Sequence, residues 1–178
     1  MANVSLRPTG VYSVCDLEKV LADFTGQGVM QDIALDATDF ATAKLQNGQC
    51  VRVAGNKVYL PDAISDKVLL NFTACEIYED GKGRETFAVE RGKGSLPRLL
   101  VLNSRDELST NACFFTEAEY TDLAGLKTAI LAGTVYAVPT VSGDWQLTAT
   151  TTNAVVYAEV LEYVTLSNDR DGVRIRFI

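Results

Sequence analysis

One phrase occurs twice in this chain. Residues 45–60 and residues 131–147 each read as a glycine, an alternating strand, a second glycine in a turn, and another alternating strand. Alternation with a period of two sends successive side chains to opposite faces of a strand. A glycine-bearing turn between two such runs closes a β-hairpin. In the first copy Gln49–Val53 and Lys57–Leu60 flank Gly55-Asn56; the second spans Thr134–Leu147. Each hairpin is followed by a long β-prone run, Asp66–Tyr78 or Ala154–Leu166, and then by an Asp-Gly turn, Asp80-Gly81 or Asp171-Gly172. A shorter strand closes each half, Arg84–Glu90 or Val173–Ile178. Two explanations stay open: duplication of a β module, or the rhythm that all-β chains share because they turn every 8–12 residues or so.

Outside the phrase, Leu17, Val20, Leu21 and Phe24 fall at helical spacing, with Ser13 and Asp16 as a capping pair and Gly26 as a stop. The pattern predicts a short helix over 16–24. Leu123, Leu126, Ala129 and Ile130 predict a second, with Thr121 or Asp122 as N-cap and Gly133 just past its end. Asp106–Asn111 is polar and reads as a loop, while Pro97–Leu102 is β-prone. The expected fold is mainly β: antiparallel barrel- or sandwich-like sheets with two short helices. The expected organisation is an extended N-terminal arm over 1–10, a first β module over 11–105 and a second over 106–178, the two modules being related halves or one compact domain.

Charge and composition exclude several functions. With 178 residues, 47% of them hydrophobic, the chain is long enough for a substantial core. The net charge of -7 repels nucleic-acid phosphates and anionic lipid, so direct nucleic-acid binding and membrane association are not expected. No apolar run reaches membrane-spanning length, and residues 1–8 lack the apolar core of a secretory signal, so a cytoplasmic site of synthesis and assembly is expected. Cys15, Cys50, Cys75 and Cys113 are widely spaced without a C-x-x-C pair, and the chain has no histidine. They read as buried, reduced thiols rather than a metal site. Without histidine no Ser/His or Cys/His nucleophile can be assembled, and no G-x-S-x-G is present. Glu76, Glu79, Asp80, Glu117, Glu119, Asp122, Glu159 and Glu162 could pair in space, but carboxylates at strand ends and turns are usually solvated. The expectation is a non-enzyme with no catalytic, cofactor-binding or metal-binding residues.

Two features point to a partner. Lys82, Arg84, Arg91, Lys93 and Arg98 concentrate positive charge between positions 82 and 98 of an acidic chain, interleaved with glycines 81, 83, 92 and 94. The P-loop pattern is not met, because the glycines do not lead from a strand into Gly-Lys-Ser/Thr and a helix. A basic loop docking on an acidic partner is the functional reading, a solvated hairpin tip the bland one. Trp145 follows the Gly143-Asp144 turn. Its ring belongs in a small core with the indole N–H bonded at the edge, or serves as a contact aromatic at an interface.

The segments Asn47-Gly48-Gln49-Cys50-Val51-Arg52-Val53 and Asn56-Lys57-Val58-Tyr59-Leu60-Pro61 resemble the short Gly-led hairpins of tailed-bacteriophage virion proteins. Leu99–Leu102 with Asp106–Asn111, Leu126–Ala129 with Gly133, and Asp144-Trp145 extend the likeness, which covers residues 30–178. The texture is that of head (capsid) decoration or auxiliary proteins. The resemblance implies a β-rich fold, homo-oligomeric assembly, and binding to the major capsid protein or neighbouring virion proteins, with the virion as destination. It transfers no catalytic residue. A tail or receptor-binding component and a cytoplasmic ligand-binding β-barrel or hydrolase are the alternatives.

Overall fold

The computed structural model describes residues 2–7, 12–19, 29–30, 33–64, 66–73, 88–92, 96–166 and 170–178. The chain is mainly β. Its strands are β1 (Asn3–Ser5), β2 (Cys15–Lys19), β3 (Val29–Met30), β4 (Ala34–Leu35), β5 (Leu45–Gln46), β6 (Cys50–Ala54), β7 (Lys57–Tyr59) and β8 (Leu69–Asn71). They continue with β9 (Ala88–Val89), β10 (Leu99–Leu100), β11 (Glu107–Thr110), β12 (Cys113–Thr116), β13 (Tyr136–Pro139), β14 (Trp145–Thr148), β15 (Ala158–Leu166) and β16 (Arg170–Phe177). Between β12 and β13 lies α1 (Leu123–Leu131), the one helix among the described residues.

An eight-stranded sheet runs β1-β12-β14-β13-β15-β16-β11-β2, antiparallel except for β12 with β14. A six-stranded sheet runs β3-β10-β8-β6-β7-β4, and β5 pairs with β9. The first sheet cannot lie flat. Laid flat, β12 and β11 would stand five strand spacings, about 24 Å, apart, whereas the chain from Thr110 to Cys113 reaches at most about 11 Å. β11 and β12 are consecutive, separated only by Asn111-Ala112. The sheet therefore curls into a half-barrel, in which β1 and β2 run along the two halves of one bent strand.

Period-two alternation in the second sheet serves two cores. Cys50, Leu70 and Leu100 face the half-barrel and join Leu108, Phe115, Trp145, Leu147, Ile175 and Phe177 in the larger core. Val51 and Leu99, one position away, face a smaller core with Ile33, Leu35, Phe40, Leu45, Val58 and Val89. Each such side chain contributes about 1.5–3 kcal/mol on burial, so the sheet is held from both sides. Helix α1 starts where Asp122 Oδ1 accepts from Gly125 N at 2.8 Å, and buries Leu126 and Ile130 in the larger core.

Several expectations are corrected. Residues 16–19 belong to β2, not to a helix: Leu17 pairs with Leu108 in the ladder, and sheet pairing overrides the local helical spacing; residues 20–24 lie outside the described residues. The polar stretch 106–111 is not a loop. It contains β11, whose four residues are all buried, because their polar groups find partners there: Glu107 meets Arg174 and Arg176, and Thr110 Oγ1 donates to Val14 O at 2.8 Å. Asp171-Gly172 is not a turn; both residues sit in the β15–β16 ladder, opposite Thr165 and Val164. The two copies of the repeated phrase are not equivalent units. The first hairpin turns through Gly55-Asn56 and the second through residues 140–144. Gly48 is walled in by Thr110, Ala112 and Cys15, while Gly133 ends a helix in open space. The Asp80-Gly81 turn, residues 74–78 of the Asp66–Tyr78 run and residues 84–87 of the Arg84–Glu90 strand lie outside the described residues.

The turn before β6 joins the two large sheets. Gly48 sits against the bend between β11 and β12, its N–H donating to Asn71 O at 2.8 Å and its carbonyl accepting from Trp145 Nε1 at 2.9 Å. Around it, Gln46 Oε1 accepts from Arg7 Nη1 at 3.1 Å and from Ser13 N at 2.7 Å. Asp144 accepts from Arg7 Nη2 and Gln49 Nε2, at 3.1 and 2.9 Å. Cys50 N donates to Gly143 O at 2.6 Å, and Asn47 Oδ1 accepts from Thr73 N at 2.8 Å. Polar groups this far from water are tolerable because they are partnered.

Candidate interaction surface

Of the basic residues singled out from the sequence, Arg91 and Arg98 are described; Lys82, Arg84 and Lys93 lie outside the described residues. Arg91 is exposed on a turn with Gly92. Arg98 is half-buried, its N–H donating to Thr73 Oγ1 at 2.9 Å and its carbonyl accepting from Phe72 N at 3.0 Å. Trp145 is fully buried. Its ring lies 5.5 Å from that of Phe177 and its Nε1 is bonded inside the fold. The reading of Trp145 as a contact aromatic is therefore corrected: its environment is the core.

Cys15, Cys50 and Cys113 are buried free thiols. Burial pushes all three thiols well above their usual range, with Asp16 reinforcing the effect at Cys15 and Asp144 at Cys50 and Cys113. In the neutral form they act as small apolar side chains of the larger core. Cys75 lies outside the described residues.

The outward face of the half-barrel carries the most organised set of functional side chains. On β16, Val173, Ile175 and Phe177 point into the core, which turns Arg174 and Arg176 outward. On β15, buried Ala158 and Val160 leave Glu159 outward, and a bulge between Val160 and Glu162 returns Glu162 to the same side. Glu107 joins from β11, in register with Arg176. Arg176 Nε donates to Glu107 Oε1 at 2.9 Å and its Nη1 to Glu159 Oε1 at 3.1 Å. Arg174 Nη2 donates to Glu107 Oε2 at 2.8 Å and its Nη1 to Glu162 Oε1 at 3.2 Å. The result is three stripes along the strands: carboxylates on β15, guanidiniums on β16, a carboxylate on β11. Glu107 is the most enclosed, and Arg176, then Arg174, hold its carboxyl below the usual carboxylate range against the opposing effect of burial.

An aromatic and aliphatic pad continues this face. Tyr157 lies two residues before Glu159, and Ile178 two after Arg176. Ile178 N donates to Tyr157 O at 3.3 Å, so the two are strand neighbours. The Tyr157 ring stands edge-on to Tyr136 at 6.2 Å. Ile178 is 57% exposed. Sequence reasoning named Glu159 and Glu162, but not their alignment with Arg174 and Arg176. Glu107 was hidden by the loop reading, although a buried-strand reading of 107–110 would have placed it beside the arginines.

No family model matches this chain, and neither the curated proteins nor the solved structures give a match to it.

Proposed function

We propose that the protein is a non-enzymatic structural component of a phage virion that binds the capsid and decorates or stabilises it. The observation that carries this reading is the outward face of the half-barrel. Interfaces are enriched in tyrosine and arginine, and Tyr136, Tyr157, Arg174 and Arg176 stand together there. The arginines are already fixed by Glu107, Glu159 and Glu162. Side chains fixed before association lose less conformational freedom when a partner arrives. The phage setting comes from the resemblance of the hairpin segments to head decoration and auxiliary proteins. The partners are the major capsid protein or a neighbouring virion protein, and the site of action is the assembled virion.

The experiment is co-sedimentation of the purified protein with genome-free heads of the phage whose genome carries this sequence. Saturable binding is the expected result. Failure to sediment with the heads across a range of ionic strengths overturns the reading.

A further inference from the structure

The outward stripes are self-complementary, and we propose that they dock a second copy of this chain across a two-fold axis. The inference rests on the assembly role proposed above and names the occupant of the face. A two-fold axis laid in the interface, parallel to the strands and between β15 and β16, exchanges the positions of these two strands and leaves height along them unchanged. The guanidinium stripe of one copy then lies over the carboxylate stripe of the other.

Height along the strands matches as well. Glu159 is in register with Arg176, and Glu162 with Arg174. The same axis therefore sets each of these arginines opposite the equivalent glutamate of the second copy, and reciprocally, as a two-fold interface requires. Each arginine would bridge a carboxylate of its own chain and one of its neighbour, giving clusters in which unlike charges alternate. Tyr157 and Ile178 are neighbours across the same pair of strands. The axis stacks Tyr157 of one copy on Ile178 of the other, covering the exposed isoleucine twice. The charged and apolar parts of the face thus agree on one axis. Because a half-barrel is convex outward, only β15, β16 and the residues that flank them lie close to the axis and reach across, and these carry every group in the match.

The roles of the two parts differ. Desolvated ion pairs roughly break even in affinity but penalise wrong registers strongly. The Tyr157–Ile178 contacts supply the apolar burial that drives association, and the charges fix which face and which register it uses.

The test is analytical ultracentrifugation of the full chain and three variants, each checked for native circular dichroism. Wild type is expected to show a concentration-dependent dimer. Ile178→Glu, at an exposed position outside the core, is expected to weaken it by about tenfold or more. Arg174→Glu sets a new carboxylate against Glu162 of the second copy, and Glu162→Arg sets a new guanidinium against Arg174 of the second copy, so each variant alone is expected to dissociate by a similar factor. Mixed in equal amounts, these two restore unlike pairs at both positions, and a heterodimer near wild-type strength is expected. A wild-type chain that stays monomeric at the highest attainable concentration overturns the inference. So does undiminished dimerisation of Ile178→Glu, or a mixture no stronger than its components. Head binding by a monomeric wild type would overturn the dimer alone and leave the proposed function standing; a dimer that ignores heads would do the reverse.

Discussion

Gly48 and Gly133 head the two copies of the repeated phrase, and both take a left-handed backbone, with φ of +83° and +69°. Their surroundings separate them. A Cβ on Gly48 would stand 2.4 Å from Thr110 Oγ1 and 3.3 Å from both Ala112 Cβ and Cys15 Cβ, whereas a Cβ on Gly133 would meet nothing within 4 Å. Gly133→Ala therefore carries only the backbone penalty, about 1–2 kcal/mol. Gly48→Ala adds overpacking and is expected to cost about 2–4 kcal/mol. Urea denaturation of the two variants measures the difference, and equal losses would show that the seam is not closed around Gly48. The glycine itself was legible as the head of a hairpin. Its crowding was not, because Cys15, Thr110 and Ala112 are remote in sequence and only folding brings them together.

Asp36 supplies a prediction of another kind at the same scale. Its carboxylate accepts from Thr38 N at 2.8 Å and from Lys57 Nζ at 3.1 Å. Above all the backbone bond from Thr38, and then Lys57, lower its pKa from the usual carboxylate value to about 2. The folded form thus holds its proton less tightly than the unfolded chain, whose aspartates titrate near ~3.9. The stabilisation is complete above the unfolded value and is lost as pH falls through about 2. Asp36→Asn is expected to flatten the urea midpoint against pH between about 4 and 2, and an unchanged slope would assign the acid sensitivity to other carboxylates.

At the scale of elements, the N-terminal segment illustrates how little a local pattern can say about a partner. Residues 1–10 offer no periodicity, yet β1 pairs with β12, and Leu6 is buried in the larger core. Arg7 then ties the segment to Asp144 and Gln46, with both members of the Arg7–Asp144 pair less than a quarter exposed. Arg7→Ala is expected to lower stability by about 1–3 kcal/mol, the range for bonds to charged groups. Chemical denaturation checks this, and no loss would mean that the segment is held by β1 and Leu6 alone. Deleting residues 1–10 would uncover β12 and the site of Leu6, so the loss of an assembly arm could not be separated from damage to the fold.

The stretches 15–19 and 106–111 failed for complementary reasons. Leu17 fits a helical stripe and a strand equally well over so short a window, and the deciding partner, Leu108, lies in a segment that itself looked like a loop. Polar residues suggested solvent there, but a polar side chain with a built-in partner can be buried, as Glu107 and Thr110 are. The reading succeeded where partners are local: the Gly55-Asn56 hairpin, the β13–β14 hairpin and the Asp122-capped helix all stand.

At the scale of the molecule, the two large sheets are not separate cores. The six-stranded sheet draws on residues 29–100, and the half-barrel on residues 3–19 together with 107–177. The larger core nevertheless combines Cys50, Val68, Leu70 and Leu100 with Trp145, Leu147 and Phe177, and β2, from the first part, pairs with β11 of the second. Removing either part would strip one wall from the larger core and expose the Gly48 seam. The whole chain is therefore expected to unfold as one unit, because the larger core is built from both parts. Trp145 is the only tryptophan and lies at the seam, so its fluorescence reports on the junction, while far-UV circular dichroism reports on both sheets. Urea transitions followed by the two signals should coincide, and a fragment of residues 106–178 alone should show no cooperative transition. Separate midpoints, or a cooperatively folded fragment, would instead make residue 105 a boundary between two independently stable modules and confine the seam to a docking contact.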